Sequence, residues 1–153
     1  MKIGVISDTH GLVRPEAIAA LQGTDLILHA GDIGSPSVLD ALNDLAPVIA
    51  IRGNNDQGDW AENIPETQEI QMADVAIYML HDLKQLSFDP EERDIRVVIS
   101  GHSHKPQVQE SNGVLFLNPG SAGRRRFKLP ITVAALHIEN RQPSAEIVDL
   151  AVP

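Results

Sequence analysis

Lys2-Ile3-Gly4-Val5-Ile6-Ser7-Asp8-Thr9-His10-Gly11 is the stretch around which the chain is organised. Ile3, Val5 and Ile6 form the apolar run of a buried strand, and the run stops abruptly at a carboxylate and an imidazole. Residues i and i+2 of an extended chain lie on one side, so an extended tip would point Asp8 and His10 at one small volume, as a two-ligand metal claw. A lone Asp-x-His is weak evidence, because Asp also starts turns and loops hold ordinary histidines. Repetition strengthens it: Asp, Asn and His recur just past four further apolar runs.

Outward from this strand, Arg14 to Gln22 reads as a helix, with Pro15 in the tolerant first turn, an Ala17, Ile18 and Leu21 stripe, and Gly23 as its stop. Asp25 to His29 returns as a strand ending at Ala30-Gly31-Asp32. Ser35-Pro36 opens a second helix with Val38, Leu42 and Leu45 at helical spacing, which Pro47 ends. Val48 to Ile51 is a third strand, running into Arg52-Gly53-Asn54-Asn55-Asp56. Strands alternating with helices imply parallel strands with functional loops at their C-terminal ends.

The second half reads differently. Gln57 to Pro65 is an irregular loop anchored by Trp60. Thr67 to Met72 and Val75 to Leu80 form an antiparallel hairpin around Ala73-Asp74 that ends at His81, and Asp82 to Asp94 is a short helix or loop. Ile95 to Ser100 is another buried strand, opening into Gly101-His102-Ser103-His104. Asn112-Gly113, between Val108 to Ser111 and Val114 to Leu117, is a type I′ hairpin signal. Asn118-Pro119-Gly120-Ser121 is a turn, and Ile131 to Ile138 and Ser144 to Leu150 are closing strands. Two packed sheets with outer helices fit this order.

The 153 residues, 42% hydrophobic, suit a single domain spanning 1–153 with a sizeable core. A net charge of −9 repels polyanions, so broad nucleic-acid binding is not expected, and a phosphate-bearing substrate would need local cations. The absence of cysteine excludes disulfides and thiolate zinc sites, leaving His, Asp, Asn and water as ligands. No stretch approaches a membrane span, and the N-terminus enters a strand rather than a leader, so a cytoplasmic location is expected. Whether copies assemble into a homo-oligomer is left open.

The residues collected at strand ends are Asp8, His10, Asp32, Asn54, His81, His102 and His104. Carboxylates mixed with imidazoles and one amide oxygen suit Mn, Fe, Ni or Zn and disfavour Cu(I) or Ca. One carboxylate can bridge two ions, and ions about 3.5 to 4 Å apart can hold a hydroxide between them while gripping a phosphate ester.

In order along the chain, Asp8-Thr9-His10, Gly31-Asp32, Gly53-Asn54-Asn55-Asp56, His81, Gly101-His102-Ser103-His104 and Asn118-Pro119-Gly120-Ser121 resemble the calcineurin-like metallophosphoesterases, specifically their small bacterial and archaeal phosphodiesterase branch. The resemblance covers nearly the whole chain. It implies an α/β fold, a four-layer αββα sandwich of two mixed β-sheets flanked by helices, and a dinuclear site of two divalent metal ions, with manganese expected. By motif, Asp8, His10 and His104 would hold the first ion, Asp32 would bridge, and Asn54, His81 and His102 would hold the second. The activity implied is a metal-dependent phosphodiesterase acting on a small phosphate-ester substrate through a metal-bridging hydroxide. A relative of this fold serves as a scaffold subunit in membrane-coat trafficking, so a binding module is the rival reading.

Two positions depart from the family pattern. Larger phosphatases carry a histidine after the metal-binding Asn that is thought to protonate the leaving oxygen; here stands Asn55, with Asp56 as a candidate substitute acid. Asp82 replaces the usual glycine after His81, and either orients His81 or faces water. His29 reads as a satisfied core or rim residue and His137 as structural. Arg124, Arg125, Arg126 and Lys128 read as a solvated loop, or alternatively place Arg124 at a bound phosphate, with Asn54 as the other substrate contact.

Overall fold

Strand β1 (Lys2–Ile6) is buried on both faces, which is why its sequence is nearly all apolar rather than alternating. Ile3 and Val5 enter the core between two sheets, and Ile6 enters a second core beneath the helices. The computed structural model, which describes residues 1–153, continues through α1 (Pro15–Ala20), β2 (Leu26–His29), α2 (Pro36–Asn43), β3 (Val48–Ala50) and α3 (Asp59–Glu62). Then follow β4 (Thr67–Met72), β5 (Val75–Leu80), β6 (Ile95–Ile99), β7 (Gln107–Ser111), β8 (Val114–Asn118), β9 (Thr132–Glu139) and β10 (Gln142–Asp149).

The first sheet has the order β10-β9-β1-β2-β3 and the second β4-β5-β6-β8-β7. In each, three neighbouring strands run parallel (β1, β2, β3 and β5, β6, β8); β9, β4 and β7 run antiparallel to them, and β10 pairs antiparallel with β9. The sheets face each other across a core of 17 buried residues, among them Leu28, Ile77, Met79, Val97 and Leu136. Helices α1 and α2 cover the first sheet's outer face through Ala17, Leu21, Val38 and Leu42. The result is the four-layer sandwich.

Its fourth layer is thin. Over the second sheet, residues 82–94 form two 3₁₀ turns, Leu83–Gln85 and Pro90–Arg93, which Asp82 and Asp89 cap by accepting the N–H of Lys84 and Glu91. Leu86 and Phe88 pack there on Ala76, Leu80 and Val98, a face too small to need a full helix. Residues 57–65 are not wholly irregular either. Gly58, at φ 102°, opens the four-residue helix α3, which buries Ala61 and seats Trp60 on the helix-side core. A single turn is too short to leave a periodic apolar pattern.

Both hairpins lie where the alternation puts them. Asn112 and Gly113 take φ of 52° and 79°, the left-handed pair that a type I′ turn requires, and Ala73-Asp74 adopts the same signs without a glycine. His137 sits on β9 between Lys2 of β1 and Ser144 of β10, half-exposed, its Nε2 3.4 Å from Glu146. Little packing would be lost with it, so the expected structural role shrinks to a surface contact.

Candidate metal centre

The parallel strands of both sheets end at one rim, where ligands collect in sheets of this kind. Beyond β1 the chain does not stay extended. Asp8 and His10 have φ of 56° and 46°, as do Asp32 (54°), His102 (66°) and His104 (64°) at the other strand ends. A left-handed backbone costs roughly 1–2 kcal/mol per residue, and Asp and His are among the side chains that tolerate it. Asp8 and His10 therefore converge through two kinks rather than through strand alternation. Backbone bonds hold the kinks: Asp8 N–H to Gly31 O and His10 N–H to Asp32 O, both 3.0 Å, and Gly11 N–H to Ile33 O at 2.8 Å.

Asp8 is fully buried. Its Oδ2 accepts from Ser7 Oγ (2.7 Å) and from His102 N–H (3.1 Å), which fixes the carboxylate and leaves Oδ1 without a hydrogen-bond partner. That oxygen lies 3.4 Å from His104 Nε2, 3.7 Å from His81 Nε2 and 3.9 Å from His10 Nε2. Asp32 presents Oδ2 at 3.1 Å from His81 Nε2 and 3.8 Å from His10 Nε2. The imidazoles sort into two pairs, His10 with His104 (ring centroids 5.6 Å apart) and His81 with His102 (5.3 Å), and both carboxylates stand between the pairs. Asp8, His10 and His104 form one cluster whose ligand atoms lie within 4.8 Å of one another, and Asp8, Asp32 and His81 form another. Asn54 stands at the open side, exposed, on the rim of the adjoining cavity.

Several residues aim these ligands. His81 Nδ1 donates to Ala30 O (2.7 Å), so Nε2 is the ring atom turned to the carboxylates. Ala30 therefore orients His81, and Asp82 does not: one Asp82 oxygen caps Lys84 N–H and the other lies 3.8 Å from His102 Nε2. Asn118 Nδ2 donates to Gly101 O (2.9 Å) and Ser103 Oγ (3.1 Å), so the turn at 118–121 supports the loop that carries His102 and His104. A Cβ at Gly53 would strike the Asp32 carboxylate, and one at Gly101 would strike Ser7 Oγ and Asp8, so both loops need the missing side chain to come this close.

Asn55 and the candidate acid Asp56 are both already engaged by their neighbours. Asn55 donates its backbone N–H to Asp32 Oδ1 (3.0 Å) and its side-chain amide to Oδ2 (3.2 Å), which makes it a positioning residue. Asp56 is buried and accepts the N–H groups of Gly34 (2.9 Å), Ile33 (3.1 Å) and Gly53 (2.9 Å), tying the loop after β2 to the loop after β3. It faces backbone rather than the cavity, so the expectation of a substitute acid is corrected. Arg124 is exposed and does not line this hollow, while Arg52, which no motif singles out, lines a cavity of about 370 Å³ with Asn54, Glu66, Tyr78, His81 and His102. Arg52 pairs there with Glu66 at 3.1 Å.

Burial works against the charged forms of Asp8, Asp32 and His81. It opposes ionisation of Asp8, yet the nearby His104 and His81 imidazoles and the hydrogen bond from Ser7 leave that carboxyl below its usual range. Asp32 likewise falls to about 2, with His81 and the Asn55 N–H outweighing burial. Burial alone would lower His81, but Asp32, Asp8 and the Ala30 carbonyl raise it to about 9. The centre is thus an anionic hollow that favours positive charge. Asp8 Oδ1, His10 Nε2 and His81 Nε2 are buried without hydrogen-bond partners, and their nitrogen and oxygen donors suit divalent transition ions.

His29, beside the centre, belongs to the scaffold. Its Nδ1 accepts Gly31 N–H (3.1 Å) and its Nε2 meets Thr9 Oγ1 (3.0 Å), whose hydroxyl donates to Ile33 O. Full burial lowers it to about 4, against which the charges of Asp8 and Asp56 pull only partly. A depressed histidine contributes stability that is complete above pH 6.5 and is lost as pH falls toward 4, here about 3 kcal/mol. His29→Gln, which cannot charge, should therefore lose less stability than the parent between pH 6.5 and 4 in urea titrations of metal-free protein. An equal loss in both would contradict the assignment.

Residues 1–141 match the family model of the calcineurin-like phosphoesterase superfamily domain. A probable metallophosphoesterase of Methanothermobacter thermautotrophicus is 37% identical, over 100% of this chain and 95% of its own length. An archaeal phosphodiesterase of solved structure superposes with a TM-score of 0.80 at 26% identity, over 97% of this chain and all of that one. Vps29 of Entamoeba histolytica, in its structure with Zn²⁺, does so with 0.75 at 25% identity, over 98% and 99%. With six motif blocks on one rim, two facing sheets and a match over most of its length, the chain belongs to the calcineurin-like phosphoesterase superfamily.

Proposed function

We propose that the protein is a phosphodiesterase that works with two divalent ions, manganese by preference, on a small soluble phosphate ester in the cytoplasm. The observation that carries this is the convergence of Asp8 Oδ1, His10 Nε2 and His81 Nε2, buried and unpartnered, beside Asp32 Oδ2. Asp8, His10 and His104 would hold one ion, Asn54, His81 and His102 the other, and Asp32 would serve both. When bound, the ions supply Lewis acidity, making water a nucleophile near neutral pH and neutralising charge on the phosphoryl oxygens. Ser7 and the His102 N–H hold Asp8, Asn55 holds Asp32, and Ala30 O holds His81, so the ligands are placed before anything binds. Arg52 and Asn54 line the cavity where a phosphate ester would lie, and both can donate to its oxygens.

Metal content of the purified protein, paired with turnover of an aryl phosphodiester and an aryl phosphomonoester, tests this reading. We expect two ions per chain and preference for the diester. Loss of the imidazole in His102→Ala and in His104→Ala should each abolish turnover, with different effects on folding. His102 is solvent-facing and its removal opens no cavity, whereas His104 is buried at 3% exposure and its loss should also lower stability. The likeness to Vps29 supports the rival reading of a binding module. Normal turnover in His104→Ala, or none in the metal-loaded parent, would favour that rival.

A further inference from the structure

His102 and Asp82 stand between two cavities. The second, of about 570 Å³, lies on the other side of His102 and Asp82 over the outer face of the second sheet. Leu83, Lys84, Lys105, Gln107 and Phe116 line it. Two of the chain's four lysines are thus gathered in one groove of a protein with a net charge of −9, and neither takes part in an ion pair. Asp82 is the one carboxylate that lines the groove, and its oxygens are turned to Lys84 N–H and toward His102. Phe116, half-buried, and Leu83, 39% exposed, give the same groove an aromatic and an aliphatic lining.

A phosphodiester has two substituents. If its phosphorus sits at the rim beside His102, one substituent falls toward Arg52 and Asn54, and the other falls into this second groove. We propose that the groove binds one arm of the substrate and selects an arm carrying both a planar ring and a further anionic group, the chemistry of a phosphorylated nucleoside. The ring would pack on Phe116 and Leu83, and the extra anion would lie between Lys84 and Lys105. The global negative charge then rejects polyanions in general, while this local pair of cations admits one short anionic arm. The inference rests on the phosphodiesterase reading above and refines it.

The test compares two substrates with the same reacting centre: the p-nitrophenyl ester of thymidine 5′-monophosphate and the same ester carrying a 3′-phosphate. An exposed ion pair is worth a few-fold in affinity, so two cations acting together should give the 3′-phosphorylated ester a KM about tenfold lower, with similar kcat. In the double variant Lys84→Ala, Lys105→Ala the ratio of the two KM values should fall to about one. Lys128→Ala, which lies outside the groove, should keep it. Equal KM values in the parent, or a tenfold ratio that survives the double variant, would overturn the inference. Calorimetric binding of the same two esters to the metal-loaded protein separates the two claims. A lysine-dependent binding preference without hydrolysis would sustain the groove and sink the phosphodiesterase reading; hydrolysis without the preference would do the reverse.

Discussion

Asp32→Ala is expected to bind neither divalent ion, and its turnover to fall at least as far as the loss of one preorganised electrostatic group takes an enzyme, about 10² to 10³-fold. The reason is positional. Asp32 Oδ2 lies 3.1 Å from His81 and 3.8 Å from His10, one nitrogen from each imidazole pair, so a single oxygen faces both halves of the centre. Asn55 fixes the carboxylate through both of its oxygens, and at 3% exposure the site admits little water to take the oxygen's place. Elemental analysis of metal-loaded samples reads the outcome. The parent should hold two ions, Asp32→Ala none, and His102→Ala the one beside Asp8, His10 and His104. Circular dichroism guards against misreading an unfolded variant. If Asp32→Ala keeps both ions, the two halves do not share it. Asp8, whose free oxygen also lies between the pairs, would then be the bridge.

What could be read from the sequence was where the apolar runs stop. Burial on both faces makes β1, β2 and β6 mainly hydrophobic segments, interrupted in β6 by Arg96, so the polar clusters after them stand out, and the topology carries those ends to one rim. The fold followed from the same pattern, with the hairpins at 73–74 and 112–113 marked by alternation on either side. What could not be read was the work done by backbone. His81 is aimed by a carbonyl, Asp56 accepts three amides, and the five left-handed residues that turn the ligands inward leave no trace in residue type beyond being Asp or His. Neither could a residue letter say whether Asn55 faces solvent or Asp32. The basic run at 124–126 stands out by composition, but it is Arg52, one residue before Gly53, that the third strand delivers to the cavity.

The geometry at Asn55 and Asp56 leads to the other large effect. A general acid typically contributes about 10² to 10⁴-fold when the leaving oxygen is a poor anion, and nothing when it is a good one. Asn55 has no proton of suitable acidity to give, and its amide is already donated to Asp32. Asp56 is turned away from the cavity and holds three backbone N–H groups. With both removed from that role, the logarithm of kcat/KM should fall steeply as leaving-group pKa rises, aryl diesters being cut far faster than alkyl ones. Asp56→Asn should leave that slope unchanged while lowering stability, since its new amide would oppose N–H donors it cannot accept. Asn55→His should flatten the slope where the ring reaches the leaving oxygen, raising rates for alkyl esters alone. It should also weaken metal binding, because the 3.2 Å bond to Asp32 is lost, so the series must be run at saturating metal and the metal dissociation constant measured separately. A shallow slope in the parent would mean that a proton reaches the leaving oxygen by another route. A slope that flattens in Asp56→Asn would return Asp56 to the reaction.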